Sequence, residues 1–239
     1  MNLSSAELKE FAACAGAMGC GIANISRFEN APKGFSPKDV YSECRSVVVI
    51  FRSMPAGAIL AENPVPYSHT SFKMYEELDR LSMELLRFCE SRGVNGVMVP
   101  PQVPYLHWDE ENQHGMGIIS LKHAAVRAGL GIMGQSTIFI NRDYGNMVYL
   151  GAILIDAQLE PDPLVMDFAC PPKCSVCIKS CAQQAISDGT VNQKLCREGS
   201  FFKAGRGWDL YSCNACRRLC PLRLGSKGQG SEGSIMEKI

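Results

Sequence analysis

Apolar and polar positions alternate with helical and strand periods over the first 165 or so residues. Ser4 and Glu7 form a capping-box pair ahead of apolar positions with helical spacing over residues 8–18, which predicts a first helix ended by Gly19 and Gly21. A longer amphipathic helix is predicted from Ser71 to Arg92, with Gly93 as its stop. A short third helix is predicted from Ser120 to Ala128, ended by Gly129.

Four runs rich in branched apolar residues predict strands between and after these helices. The runs cover residues 47–51, 94–99, 137–141 and 146–155. The turn signal at residues 142–145 predicts a hairpin between the last two. The predicted fold class is therefore α+β, with one sheet flanked by helices.

Composition narrows the class of protein. The chain has 239 residues, 46% of them apolar, and a formal net charge of zero, which is typical of a globular protein and gives no support for a general nucleic-acid binder. No apolar run reaches the ~18 residues that span a bilayer. The first residues lack the pattern of a secretory signal, so we expect a cytoplasmic protein with no membrane partner.

Twelve cysteines are the most informative part of the composition. Eight of them fall between Cys170 and Cys220, after a Pro-rich junction at residues 160–163. We therefore predict an α+β cofactor or substrate module over residues 1–165, a double-cluster module over 166–224 and a flexible tail over 225–239. In a reducing compartment, metal or redox use is favoured over disulfides.

The eight clustered cysteines follow the spacing of a two-cluster ferredoxin, in which the fourth ligand of each cluster comes from the other motif. The first set, expected to hold one [4Fe–4S] cluster, is Cys170, Cys174, Cys177 and Cys220. The second set, expected to hold the other, is Cys181, Cys196, Cys213 and Cys216. Residues 182–186 are expected to form the short helix after the last ligand of the first run. A pair of structural zinc sites is the alternative, because such sites also use C-x2-C pairs.

The remaining cysteines, Cys14, Cys20, Cys44 and Cys89, have no ligand spacing and lie in or beside apolar segments. Free cysteine often behaves as a small buried apolar residue. We therefore expect these four to pack in the core.

A motif over residues 126–136, Val-Arg-Ala-Gly-Leu-Gly-Ile-Met-Gly-Gln-Ser, followed by Asp143-Tyr144-Gly145 and residues 150–154, resembles epoxyqueuosine reductase. Residues 18–23 are similar to the opening of that family, and the double-cluster segment follows in the same order. The resemblance covers about residues 5–222 and extends to a wider group with reductive dehalogenases. It implies a flavin-nitroreductase-like module that binds cobalamin, joined to a ferredoxin-like module with two [4Fe–4S] clusters.

The motif also supplies candidate cofactor-binding residues. On this resemblance they are Arg127, Gly129, Gly131, Gly134 and Gln135. Glycine lets a backbone approach a large planar ligand closely. The corrin of cobalamin and the isoalloxazine of FMN are both ligands of this kind. The Gly-x-Gly-x-x-Gly pattern follows a helix and precedes a strand, which is the reverse of a dinucleotide fingerprint.

The chain departs from the family at several positions. The family's catalytic aspartate, twelve residues before Arg127, is here Gly115, its lysine is Gln135 and its aromatic residue is Ile132. Asp109, Glu110, Glu111 and His114 are candidate replacement proton donors, Asp109 and His114 foremost, and the favoured alternative is that this stretch is a solvated polar loop. The chain has no counterpart of the family's C-terminal helical-repeat extension, so we expect that tRNA is not the substrate.

Three functions are consistent with the sequence. The first is a cobalamin-dependent reductase that passes electrons from an external donor through two clusters to a small-molecule substrate. The second is an accessory carrier or reductive activator for a corrinoid protein partner. The third is a flavin-dependent reductase on the same fold.

Overall fold

A computed structural model describes residues 3–187 and 189–228. It contains helices on both faces of a small sheet, followed by short hairpins and helical turns. The strands are β1 (Gly19–Asn24), β2 (Ser46–Ser53), β3 (Gly96–Val99), β4 (His107–Asp109), β5 (His114–Met116), β6 (Ile132–Met133), β7 (Phe139–Ile140), β8 (Val148–Ile155), β9 (Ile186–Ser187), β10 (Thr190–Val191), β11 (Phe201–Lys203) and β12 (Asp209–Tyr211). The helices are α1 (Ser5–Cys14), α2 (Pro37–Val40), α3 (Pro64–Ser91), α4 (Leu121–Arg127), α5 (Val176–Lys179), α6 (Gln193–Ser200), α7 (Ala215–Arg218) and α8 (Gly225–Gly228).

The main sheet has the strand order β1-β2-β8-β3, and every neighbouring pair is antiparallel. Both of its faces are covered. Val48 and Ile50 belong to the core shared with α1 and α3, whereas Val47 and Val49 belong to the core shared with α4. Because neither face meets water, the two central strands are continuous apolar runs instead of alternating ones. The expected mixture of helices and sheet is confirmed, although four two-stranded sheets accompany the main sheet in the described residues.

The long helices begin and end where local chemistry dictates. The Ser4 hydroxyl accepts a hydrogen bond from the Glu7 amide at the start of α1, as the capping-box pattern predicts. The second long helix starts earlier than predicted, at Pro64, because Asn63 caps it and proline is favoured in the first turn. Its predicted stop is confirmed, since Gly93 has a φ of +75°.

The end of the first helix was predicted wrongly. Helix α1 stops at Cys14, and Gly19 and Gly21 lie inside β1. A Cβ on Gly19 would stand 2.2 Å from a ring atom of Phe51, and one on Gly21 would stand 2.4 Å from the Ala128 carbonyl oxygen. These glycines permit close packing across the sheet and do not end a helix.

The hairpin predicted around residues 142–145 is also absent as a strand pair. Strand β7 pairs with β6, and β8 lies between β2 and β3, so only a single bridge joins Asn141 to Gly145. All eight positions of β8 are buried, which places it at the centre of the sheet and not in a marginal hairpin. The helix expected over residues 182–186 is replaced by a turn and the start of β9.

The cysteine-rich segment packs against the main sheet and α3. The Tyr211 amide donates to the Ser68 hydroxyl at 2.8 Å, and the Asn146 amide donates to the Arg223 carbonyl at 3.1 Å. Residues 225–228, at the start of the predicted tail, form a helical turn, and its residues 229–239 lie outside the described part of the chain. None of the described helices combines the length and the apolarity needed to span a bilayer.

The four scattered cysteines do not share one environment. Cys44 and Cys89 are fully buried, and burial raises the pKa of each thiol to about 11. Burial also raises the pKa of Cys20, to about 12. Cys14 is exposed, because α1 turns that side chain away from the core, so the packing role expected for it is wrong.

Candidate functional site

The first set of cysteines surrounds one cavity. Cys170, Cys174, Cys177 and Cys220 all line it, together with Gln135, Ser136 and Ile140 of the N-terminal module. The enclosed volume of this cavity is about 20 Å³, and the cavity opens to solvent on one side. Three of these thiols come from one short run and the fourth from the distant motif, as the ferredoxin pattern requires.

Local backbone geometry explains how three thiols reach one cavity. The Cys174 amide donates to the Pro171 carbonyl at 3.0 Å, which closes a tight turn, and Lys173 has a positive φ of 62°. Cys177 then lies on the single-turn helix α5. One tight turn and one turn of helix are therefore sufficient to bring three thiols to the same cavity.

The thiols of the first set affect one another electrostatically. Burial raises the pKa of Cys177, and the neighbouring Cys170 and Cys174 raise it further. Burial likewise raises the pKa of Cys220, with added contributions from the same neighbours. Four thiolates around one cavity would repel each other, and bound iron would relieve that repulsion. The donor set therefore fits a tetrathiolate cluster, although ligation itself stays a prediction.

The second set is less fully gathered. Burial raises the pKa of Cys216 to about 11, and Cys196 and Cys213 raise it further, which places three of the four thiols within electrostatic reach. Cys213 is exposed and lines a shallow groove with Arg218 and Leu219. The Cys181 sulfur accepts from the Ala185 amide at 3.3 Å. Over residues 3–187 and 189–228, no three His, Cys, Asp or Glu side chains converge on the position of a single metal ion, so the four thiols of the first set line a cavity without meeting at one point.

Arg127, the first candidate cofactor residue, is occupied by contacts within the chain. Its Nε donates to the Arg27 carbonyl at 2.6 Å, and Arg27 Nη1 donates back to the Arg127 carbonyl at 2.5 Å. Its guanidinium also lies 5.3 Å from the centre of the Phe28 ring. These contacts join α4 to the segment after β1.

The glycines of the motif are also explained by packing. Gly129 has a φ of 71°, and a Cβ there would stand 2.1 Å from the Pro163 carbonyl oxygen. A Cβ on Gly131 would stand 2.2 Å from the Ile140 carbonyl oxygen, and one on Gly134 2.7 Å from the Ile140 side chain. Protein atoms fill the space beside these glycines, so they do not form an open cradle that fits a corrin. Gln135 differs, because it lines the cavity of the first set.

The candidate proton donors lie on the β4–β5 hairpin. Asp109 stands opposite His114, and both are exposed. The Asp109 carboxylate accepts from the Asn112 side-chain and backbone amides at 2.8 and 3.0 Å, and these bonds lower its pKa. A carboxyl group held ionised is a poor proton donor at neutral pH, so the geometry gives no support to that role for Asp109.

Gly115 holds the hairpin against helix α6. Its amide donates to Gln193 Oε1 at 3.2 Å, and Gln193 Nε2 donates to its carbonyl at 3.3 Å. A Cβ there would meet the Tyr105 and Trp108 rings at 3.1 and 3.2 Å. The position of the family's aspartate is thus filled by aromatic rings and an amide, beside the helix that carries Cys196.

Sequence reasoning missed Arg217, which follows Cys216 on α7. Its guanidinium lies 4.9 Å from the centre of the Tyr149 ring on β8, and Nη1 is buried with no hydrogen-bond partner among the described residues. The only signal was an arginine pair, Arg217 and Arg218, inside the second cysteine motif. Nothing in the sequence distinguishes the half-buried Arg217 from the exposed Arg218.

Comparison with known proteins supports the resemblance. No family model matches the chain. The chain is 31% identical over 121 residues to an epoxyqueuosine reductase of Staphylococcus aureus, which covers 46% of this chain and 31% of that protein. It is 29% identical over 119 residues to the enzyme of Bacillus subtilis, covering 46% and 30%. The chain thus spans about a third of the length of these curated relatives.

Solved structures share the fold over nearly the whole chain. Epoxyqueuosine reductase from Streptococcus thermophilus superposes with a TM-score of 0.64 at 20% identity, covering 93% of this chain and 66% of that one. A catabolic reductive dehalogenase superposes with a TM-score of 0.70 at 15% identity, covering 94% and 33%. A reductive dehalogenase described in connection with B12-dependent dehalogenation gives 0.68 at 16%, covering 94% and 32%. The chain is therefore similar in sequence to part of the epoxyqueuosine reductases, and it shares its fold with them and with reductive dehalogenases.

Proposed function

We propose that this chain is an iron–sulfur oxidoreductase whose C-terminal cysteines hold two [4Fe–4S] clusters that conduct electrons toward a corrinoid associated with the N-terminal module. The observation that carries the proposal is the cavity lined by Cys170, Cys174, Cys177 and Cys220. A thiolate-held cluster supplies one-electron transfer at a potential set by local charge, hydrogen bonds and exposure.

The protein's own contribution is to position the two sets of thiols and control their access to water. The first set adjoins Gln135 and Ser136, so it faces the end of the motif at residues 126–136 in the N-terminal module. The second set includes the exposed Cys213, which is accessible from the surface. This order favours entry of electrons at the second set and exit from the first toward the N-terminal module.

An external electron donor is part of the proposal, and the charge of the cluster segment suggests its character. Residues 166–224 carry nine Lys and Arg against four Asp and Glu, in a chain whose net charge is zero. A basic surface steers acidic proteins and speeds their association at low salt. We infer that the donor is a small acidic one-electron carrier protein.

The proposal of a corrinoid acceptor is based on the related proteins and not on contacts of the motif at residues 126–136. Arg127, Gly129 and Gly131 contact protein atoms, so no catalytic step is assigned here to a corrinoid. The related dehalogenase described in connection with B12-dependent dehalogenation supports a corrinoid acceptor, and FMN is the alternative that the fold resemblance left open. A small-molecule substrate, the exclusion of tRNA and a cytoplasmic location stay predictions.

One observation favours a second function, an accessory carrier that reduces a separate corrinoid protein. Gly115 provides no acid at the family's catalytic position, and Asp109 is held ionised nearby. A chain that only delivers electrons needs no proton donor. The choice between the two functions depends on whether this chain itself binds the acceptor.

A cofactor titration tests the proposal. The protein is purified without oxygen, its iron and sulfide are measured, and cobalamin and FMN are titrated separately while spectra are recorded. About eight irons per chain and a saturable cobalamin shift are expected for the reductase. Clusters without either cofactor shift would favour the carrier, and an FMN shift alone would favour the flavin enzyme. Fewer than about four irons after reconstitution would overturn the two-cluster assignment.

A further inference from the structure

A shallow surface groove lies beside helix α7, in the second half of the cysteine-rich segment. We call it the α7 groove, and its lining residues are Ser212, Cys213, Asn214, Ala215, Arg218 and Leu219. The groove includes the thiol of Cys213, which is exposed and belongs to the second set. One predicted ligand of the second cluster is therefore reachable from solvent at this place in the fold.

The α7 groove presents a cation that has no carboxylate partner in the described part of the chain. Arg218 is exposed, and none of the ion pairs among those residues includes its guanidinium. Residues 210–228 contain four Lys and Arg and no Asp or Glu. On the hairpin just before them, by contrast, Lys203 pairs with Asp209 at 2.8 Å. The positive charge of Arg218 is therefore available to a partner.

Helix α5 extends this surface, because it packs against α7. Its last residue, Lys179, is exposed and belongs to none of the ion pairs formed within residues 3–187 and 189–228. An apolar side chain is also left in solvent at each helical turn: Val176 of α5 is 39% exposed, and Leu219, directly after α7, is 49% exposed. Apolar side chains accompanied by cations are typical of protein contact surfaces, in which a polar rim surrounds an apolar centre.

We propose that the α7 groove is the docking surface of the electron donor, where a small acidic carrier protein pairs its carboxylates with Arg218 and Lys179. This inference rests on the proposed function, because it assumes a cluster held by the second set. Charge complementarity identifies the partner, since an exposed positive surface steers a negatively charged protein and fixes its orientation. A groove of six residues is sufficient as the centre of such a contact, because electron-transfer encounters bury less than about 1,200 Å² in total.

The position of the groove gives the donor a direct approach to the second set. Cys213 lines the groove itself, whereas the first set lines a cavity beside Gln135 and Ser136 of the N-terminal module. A carrier bound at the groove contacts the second set and leaves the first set facing the N-terminal module. One electron leaves the reduced carrier, which is oxidised, and reduces one cluster, and no covalent bond forms or breaks.

Charge reversal at the groove tests the proposal through binding. The reconstituted full chain is titrated with an acidic plant-type [2Fe–2S] ferredoxin at low ionic strength, and the dissociation constant is measured by isothermal titration calorimetry. Arg218→Glu should weaken binding at least about fivefold, and the difference from wild type should shrink at high salt. Arg87→Glu is the matched control, because it makes the same change in net charge at an exposed arginine of α3, and it should weaken binding much less.

Two further variants separate charge from apolar contact. Arg218→Gln removes the charge without reversing it and should weaken binding by a smaller factor than Arg218→Glu. Leu219→Ala should weaken binding at high salt as well as at low salt, because an apolar contact is not screened by ions. Equal affinities of wild type, Arg218→Glu and Arg87→Glu, with both clusters present by iron analysis, would overturn the inference.

Cross-linking of the wild-type chain locates the contact independently of affinity. A carbodiimide joins lysine amines to carboxylates that touch them, so Lys179 should form a cross-link to the ferredoxin, whereas the exposed Lys33 of the N-terminal module should not. Cross-links at Lys33 without any at Lys179 would overturn the inference. A dimer of this chain that Arg218→Glu dissociates, with unchanged affinity for the ferredoxin, would assign the groove to a second copy and would overturn it as well.

Reduction kinetics connect the docking surface to electron transfer. Stopped-flow reduction by pre-reduced ferredoxin, at concentrations below saturation, should slow in Arg218→Glu by about the factor by which binding weakens. Photoreduction by a neutral deazaflavin shows whether the clusters of each variant still accept electrons. If Arg218→Glu does not assemble its clusters, the affinity of Arg218→Gln and the wild-type cross-links decide the question. A wild-type chain that takes up no iron would instead refute the proposed function itself.

Discussion

Cys177 and Cys220 line the same cavity although they belong to different cysteine motifs. The turn at Pro171 and the single-turn helix α5 bring the first thiol to the cavity, and the end of the second motif brings the other. This crossing of the motifs ties the two halves of the cluster segment together. It also makes the ligand partition testable one thiol at a time.

The partition predicts that Cys220→Ala resembles Cys177→Ala and not Cys216→Ala. The first two variants each remove a ligand from the same cavity, so each should lose about half of the iron and the same EPR signal. Cys216→Ala should lose the other signal. Exposed Cys14→Ala is the control and should keep both. If Cys220→Ala instead matched Cys216→Ala, the two motifs would each hold their own cluster and the partition would be wrong.

Gly145 is predicted to be essential for joining the two parts of the chain. Its φ is +63°, and a Cβ there would stand 2.1 Å from the Arg223 carbonyl oxygen. Gly145→Ala should therefore lower the free energy of unfolding by about 2 kcal/mol or more, measured by urea denaturation. Gly57→Ala, where a Cβ would meet nothing within 4 Å, is the matched control and should cost much less. Equal stabilities of the two variants would show that this contact is not rigid.

The Asp109 carboxyl provides a pH-dependent prediction. Hydrogen bonds from Asn112 lower its pKa, so their stabilising effect is present above the pKa of the unfolded chain and is lost as pH falls through the lowered folded pKa. Asn112→Ala should raise the Asp109 pKa toward its ordinary value in an NMR titration. The pKa of Asp79, which burial raises, should not change in this variant. An unmoved Asp109 pKa would mean that the hairpin bonds are not formed in solution.

The basic cluster segment predicts salt-dependent reduction. The rate of reduction by an acidic carrier protein, measured by stopped flow, should fall severalfold between low and physiological ionic strength, because the Debye length shortens to about 8 Å. Reduction by a small neutral reductant is the control and should be nearly independent of salt. If the rate of reduction by the carrier protein does not change with ionic strength, charge is not the basis on which the carrier is recognised.

The sequence predicted the mixed fold, the central strand at residues 47–51 and the stop of the long helix at Gly93, because each rests on a local pattern. It could not predict that β8 lies between β2 and β3, since strand order depends on contacts between distant segments. The same limit applies to Gly19 and Gly21. Local rules predict that they end a helix, whereas in the structure glycine is required because a Cβ would collide with Phe51 on the neighbouring strand and with the Ala128 carbonyl after α4.

The candidate site divides in the same way. Spacing alone predicted that the thiols of the first set lie together, and the structure places all four around one cavity, whereas their ligation of a cluster stays a prediction. The motif glycines were interpreted through the resemblance as ligand contacts, whereas Pro163 and Ile140 fill the space beside Gly129 and Gly131. For Arg217 the arginine pair was the only signal, and it does not say which of the two side chains packs against the sheet, since that is decided by tertiary packing.

Asn146 connects the central strand β8 to the cysteine-rich segment through two hydrogen bonds. It is buried just before β8, its amide donates to the Arg223 carbonyl, and its side chain donates to the Arg217 carbonyl. If loss of iron released residues 217–223, both donors would be left buried without those acceptors. We therefore expect oxidative loss of a cluster to destabilise the start of β8, which would be visible as faster hydrogen exchange at the Asn146 amide. A chain that has lost a cluster should then be cleaved by proteases within the main sheet as well as at its surface loops.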